Sequence, residues 1–192
     1  MKIGLMGGSF DPVHTGHLIA AKQTVKQHGL DRVIMIPAAQ APQKFPATTT
    51  AAHHRIAMLR AAIEGIADFE VSDFEVSQGG ASYTIDTVHH FHDRFPHDQL
   101  FWIMGSDKVG SLDRWRSIEA LAQLVDFIYL ERPGYLSSPQ PTTPSLKLHR
   151  CDGNCPDISS TQLRDRLRHG QPVEDLVPPP VVVYIGQNKL YQ

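Results

Sequence analysis

The stretch Gly7-Gly8-Ser9-Phe10-Asp11-Pro12-Val13-His14-Thr15-Gly16-His17, set directly behind the apolar run Ile3 to Met6, restricts this chain more than any other feature. A short apolar run bounded by glycines reads as a buried strand. Two glycines let the backbone approach a ligand closely, and a helix begins near Gly16. His14 and His17 are three residues apart, so at a helix start they point the same way. Imidazole donates hydrogen bonds to phosphate oxygens, and a helix mouth adds unpaired N–H groups and partial positive charge. The turn is therefore suited to a polyphosphate. It lacks the Gly-Lys-Ser/Thr of a Walker loop and the spacing of a dinucleotide fingerprint, which removes both readings.

At 192 residues the chain is long enough for one α/β domain with a good core and short for two, so we expect a single domain, 1–192. Eighteen Lys plus Arg stand against twenty Asp plus Glu, a net charge of −2. That balance argues against a broad nucleic-acid or membrane footprint, and any anion must be held by local positive groups. No run approaches membrane-spanning length, which leads us to expect a cytoplasmic protein. Cys151 and Cys155, with His149 nearby, lack a second Cys/His pair at ligand spacing, and are expected to be reduced loop thiols rather than a zinc site. The number of subunits is left open.

Apolar runs alternate with helical patterns along the chain, the order of a parallel sheet with crossover helices. Ile3–Met6, Arg32–Pro37, Leu100–Met104 and Val125–Leu130 are expected strands. Phe69–Val76 reads as another, with a phase slip between Val71 and Phe74 that suggests a bulge, and Leu146–His149 as a last short one. Helices are expected on the Leu18, Ala21, Val25 pattern, behind a Thr50 cap with Ile56, Leu59, Ile63 and Ile66 on one face, and over Tyr83–Phe95. The expected fold is a single Rossmann-like α/β domain with helices on both faces of the sheet. The segment Pro133–Pro144, rich in Pro, Ser and Thr, is a surface loop or a lid.

A second motif, Ile158-Ser159-Ser160-Thr161-Gln162-Leu163-Arg164, opens a helix that runs to Gly170. Its hydroxyls and N–H groups, with Arg164 one turn on, make a second anion site.

The first motif resembles, position by position, the GGxFDPxHxGH signature of the HxGH nucleotidyltransferase superfamily, in the form carried by bacterial nicotinate mononucleotide adenylyltransferases. The second resembles the ISSTxIR motif found at the same place in that superfamily. Between them Ser82-Tyr83-Thr84-Ile85-Asp86-Thr87 matches the SYTIDT element, Gly105-Ser106-Asp107 the GxD element, and Trp115 a tryptophan behind it. Val181–Tyr191 resembles the C-terminal V-x-x-YI…LY helix. The chain departs from the family at Ala41-Pro42-Gln43-Lys44, where Pro-Pro-His-Lys is common, and at Arg116, where an aromatic residue is frequent.

The resemblance implies transfer of the adenylyl group of ATP to nicotinate mononucleotide, with Mg²⁺ accompanying ATP. It assigns catalysis to His14, His17 and Arg164. Gly7, Gly8, Ser9, Phe10, Gly105, Ser159, Ser160 and Thr161 would complete the ATP site. Lys44, Ser82, Tyr83, Thr84, Asp107, Trp115 and Arg116 would hold the acceptor; no residue is assigned to a metal. Plainer roles stay open for several: Trp115 as core packing, Asp107 as a helix cap, Lys44 and Arg132 as solvated cations, and Asp11 as a turn stabiliser. The remaining histidines are expected on surfaces and helix faces. The competing functions are transfer to another phosphate acceptor, such as nicotinamide mononucleotide or phosphopantetheine, and a non-catalytic ATP sensor.

Overall fold

In the computed structural model, which describes residues 1–40, 50–131, 141–153 and 156–192, six strands form one parallel sheet in the order β3-β2-β1-β4-β5-β6. The strands are β1 (Lys2–Gly8), β2 (Arg32–Pro37), β3 (Phe69–Val71), β4 (Gln99–Gly105), β5 (Val125–Leu130) and β6 (Leu148–Cys151). The helices are α1 (Thr15–His28), α2 (Ala52–Ile63), α3 (Phe74–Gln78), α4 (Thr84–Arg94), α5 (Ile118–Leu124), α6 (Ser160–Arg168) and α7 (Pro179–Gln187), with a 3₁₀ segment over Ser106–Arg114.

Uninterrupted apolar runs are what a sheet covered on both faces requires. Alternation along each strand then sorts the side chains. Val33, Met35, Phe101 and Ile103 pack on one face against Ala21 of α1, Met58 and Leu59 of α2, Leu163 of α6 and Ile185 of α7. Ile34, Ile36, Leu100 and Trp102 pack on the other against Val88 and Phe91 of α4 and Leu121 of α5. The sheet is built outward in one direction from β1 through β3 and in the other from β4 through β6, so the order reverses between β1 and β4. In open α/β sheets a crevice opens at the carboxyl ends of the strands at such a reversal. Gly8 and Gly105 end those two strands.

Several expectations are corrected. The strand expected over Phe69–Val76 stops at Val71; the slip after it is the strand end and not a bulge. The last ladder bond runs from Ser72 N to Met35 O, and α3 then turns Phe74 onto His90, ring centroids 3.8 Å apart, and Glu75 onto Thr87. The final strand lies at Leu148–Cys151, later than expected. Ala51, and not Thr50, takes the N-cap position of α2, because the Thr50 carbonyl is engaged by Arg55 Nε at 3.2 Å. That helix ends at Ile63, and Ile66 follows it. Gln43, Lys44, Arg132, Cys155 and most of Pro133–Pro144 lie outside the described residues. Cys151 is buried in the core, and among the described residues no group of three or more His, Cys, Asp or Glu is arranged to hold a metal.

Candidate active site

The turn after β1 is assembled by close packing. A Cβ on Gly7 would lie 2.9 Å from the Trp102 ring, and one on Gly16 3.1 Å from His14 Nδ1. These glycines therefore make room for neighbouring side chains of the protein, and Gly7 also lines the cavity beside the turn. Phe10 takes a φ of 47°, rare for a side-chain-bearing residue, and its buried ring meets His17 edge-on at 5.0 Å. His14 has extended backbone at the N-cap position of α1, and its N–H donates to His17 Nδ1 at 3.3 Å. Nδ1 is thereby the acceptor, so the neutral ring carries its hydrogen on Nε2 as a donor. The two imidazoles stack with centroids 3.7 Å apart.

From the far end of the chain α6 docks on this turn. Ser160 Oγ donates to Pro12 O at 3.0 Å, and Arg164 Nη1 donates to Asp11 O at 2.7 Å while Nη2 reaches Thr161 Oγ1 at 3.2 Å. Neither α1 nor α6 has an acidic residue in its first turn, a property shared with α2 and α7, whereas Glu75, Asp86 and Glu119 stand there in α3, α4 and α5. An acid at those two positions would stabilise the helix itself, and its absence leaves both positive helix ends to an anion.

Both ends open on a cavity of about 780 Å³, within the range of small-molecule sites. Gly7, Gly8, Ser9, Phe10, His14 and His17 of the first motif line it, together with Gly105, Asp107 and Ser160. Ser82, Tyr83, Thr84, Trp115 and Arg116 line it as well. Trp115 also packs edge-on to Trp102 and Phe127, and its Nε1 donates to Ser111 Oγ at 3.4 Å. The Arg116 guanidinium lies over the Tyr83 ring, 4.7 Å from its centroid. Of the expected phosphate residues, Ser159, Thr161 and Arg164 are not among those lining the cavity, and the Arg164 guanidinium is turned onto the Asp11 carbonyl.

Sequence reasoning missed four groups. Lys108 and Arg114 add positive charge to the wall, Lys108 Nζ lying 3.5 Å from Asp107 Oδ2. Glu75 is a buried carboxylate on the wall, accepting from Thr87 Oγ1 at 2.6 Å; burial pushes its pKa up, against the hydrogen bonds from Thr87 and Ser82. Arg55 is buried beneath the turn and donates to Ser9 O at 2.8 Å. Burial lowers its pKa while Asp11 and Tyr191 oppose that. A signal for Arg55 did exist: it precedes Leu59 by four residues and so lies on the buried side of α2.

Two helix starts, those of α1 and α6, thus meet the carboxyl ends of β1 and β4 at the reversal point of a parallel sheet, with His14 and His17 beside them, the arrangement expected of a nucleotidyltransferase. The chain matches, and belongs to, the cytidylyltransferase-like family, over residues 5–166. It is 51% identical over 192 residues to the Opitutus terrae protein named "Probable nicotinate-nucleotide adenylyltransferase", covering 100% of this chain and 98% of that one. A Methylacidiphilum infernorum protein of the same name is 38% identical, with 99% and 92% covered. Plasmodium falciparum nicotinic acid mononucleotide adenylyltransferase complexed with NaAD shares the fold, with a TM-score of 0.79 at 21% identity and 99% and 97% of the two chains covered. Within its family the chain stands with the nicotinate-nucleotide adenylyltransferases, enzymes of NAD biosynthesis.

Proposed function

We propose that residues 1–192 form one catalytic domain that joins ATP to nicotinate mononucleotide. The mononucleotide phosphate oxygen attacks the α-phosphorus of ATP, the bond from that phosphorus to the α,β-bridging oxygen breaks, and pyrophosphate leaves with the electron pair. Both reactants are already phosphates, so the protein supplies position and charge and no nucleophile. Mg²⁺ enters with ATP, as it is usually held through substrate phosphates and water. His14, His17 and the α6 N-terminus hold the triphosphate, with His17 Nε2 stabilising charge at the α-phosphate. Arg164 supports that group from behind through Asp11 and Thr161. Lys44 takes the mononucleotide phosphate, Asp107 the ribose hydroxyls, and Trp115 the pyridine ring. With ATP as donor, the reaction belongs in the cytoplasm. Among the described residues no helix is long and apolar enough to cross a membrane.

The observation that carries this reading is the meeting of two acid-free helix starts on one cavity beside His14 and His17. For the acceptor, donor counting decides. A carboxylate only accepts, which suits N–H groups near Thr84 and Arg116, whereas a carboxamide turns an NH₂ toward one of them. Losing a charge-assisted bond and stranding a donor costs about 3 kcal/mol, roughly a hundredfold in kcat/KM. The test is pyrophosphate release with ATP, Mg²⁺ and a panel of acceptors. Nicotinate mononucleotide should exceed its nicotinamide analogue by that ratio. A ratio near one would overturn the ring-site assignment, and ATP binding without release for any acceptor would favour a sensor.

A further inference from the structure

The segment Val181–Tyr191 has so far no task in the reaction. In the structure α7 stops at Gln187, and Lys189 and Tyr191 take φ values of 50° and 64°. Left-handed backbone at two residues that carry side chains is disfavoured and persists only where surrounding contacts hold it. Here it folds the chain back and delivers the Tyr191 hydroxyl to Asp11, 180 residues away in sequence, donating to Oδ1 at 2.6 Å. Asp11 is 1% exposed. Its other carboxylate oxygen is 4.0 Å from Arg164 Nη1, too far for a hydrogen bond, while the same Nη1 donates to the Asp11 carbonyl at 2.7 Å. Arg164 thus has two acceptors on one residue and uses the neutral one.

We propose that Tyr191 is a positioning residue for adenylyl transfer: by holding the Asp11 carboxylate, it keeps Arg164 seated on the Asp11 carbonyl behind the ATP phosphates. This rests on the reading of Arg164 as part of the ATP site. Without the phenolic hydroxyl the carboxylate turns to Arg164, and the guanidinium is drawn into an ion pair and out of register with the α6 N-terminus. Arg55 also feels the Asp11 charge, but its Nη1 donates to Ser9 O and its Nε to Thr50 O. Burial, with the bond to Asp11, raises the Tyr191 pKa, so the hydroxyl stays protonated and remains a donor.

The variant is Tyr191→Phe in the full chain, which keeps the ring and removes only the donor. The expected result is a kcat/KM for ATP lower by about tenfold, with KM for nicotinate mononucleotide within about twofold of the parent. In the Asp11→Asn background, where no carboxylate charge remains to capture Arg164, the same change should add less than about twofold. An unchanged kcat/KM for ATP, an equal rise in both KM values, or full additivity in the Asn background would each overturn the proposal. The affinity for ATP, measured by calorimetry, gives a readout that needs no turnover: Kd should rise by about tenfold in Tyr191→Phe. A parent chain that binds ATP but transfers to no acceptor would sink the proposed reaction and leave this comparison standing.

Discussion

A backbone amide, that of His14, sets the orientation of His17. Because the acceptor on the ring is thereby fixed as Nδ1, one protonation form of the neutral imidazole is selected before any substrate arrives, and Nε2 needs no reorganisation to donate. Removing one preorganised donor of this kind lowers turnover by on the order of a hundredfold. His17→Ala should show that loss in kcat by steady-state pyrophosphate release. Its stability should fall by only about 1 kcal/mol, since the ring makes edge and stacking contacts and fills no part of the main core. Normal turnover in this variant would remove His17 from the catalytic assignment. The neighbouring Asp11 illustrates how a residue with a modest sequence reading, a turn stabiliser before proline, becomes central once burial and partners are known. Tyr191, Arg164 and Arg55 all converge on its turn.

The 3₁₀ segment Ser106–Arg114 carries a clasp near its C-terminal end. Asp113 accepts from the Thr142 and Thr143 amides at 2.8 and 3.1 Å and from their hydroxyls at 3.0 and 2.7 Å. Those hydrogen bonds, the Thr142 amide foremost, hold its pKa down at about 2, from an ordinary 3.8. A depressed carboxylate contributes stability above its unfolded pKa and loses it as pH falls through the folded one. The clasp should therefore stay closed at pH 5 and open between about pH 4 and 2. Asp113→Asn should loosen it at neutral pH, raising hydrogen exchange at the Thr142 and Thr143 amides by about tenfold with core amides unchanged; equal exchange in both proteins would refute the clasp. Neither this pairing nor the 3₁₀ conformation was legible in sequence, because a short polar segment has no period and its partner lies about thirty residues on. The strands and long helices were legible, since Ile3–Met6, Arg32–Pro37 and Leu100–Met104 are apolar runs bounded by glycine, proline or charge. Phe69–Val76 misled for the same reason. Its apolar residues suit a strand, and only the tertiary contacts of Phe74 with His90 and Glu75 with Thr87 turn it into a helix.

At the scale of the whole molecule, the candidate site belongs to neither half of the sheet. β1 and its turn supply Gly8 and the histidines, β4 supplies Gly105, the 3₁₀ segment behind it supplies Asp107, and α6 supplies Ser160. A nucleotide bound across them ties the halves together and should stabilise the fold as a unit. At ATP a hundredfold above its Kd, linkage gives about 2.7 kcal/mol. For a chain of this size that corresponds to a rise in Tm of roughly 5–10 °C, measurable by scanning calorimetry. No rise at saturating ATP would contradict a site built across both halves. The motif that reads most clearly in the sequence is also the one whose supports are farthest away: Thr15 N meets Leu176 O, Ser160 reaches Pro12, and Tyr191 reaches Asp11. On the ribosome, at about 5–20 residues per second, the His14–His17 turn emerges roughly ten seconds or more before Tyr191 has been made. A nascent chain therefore carries its phosphate motif unfastened while the residues between that turn and Tyr191 are being made, and the nucleotide site takes its final form only after Tyr191 has emerged.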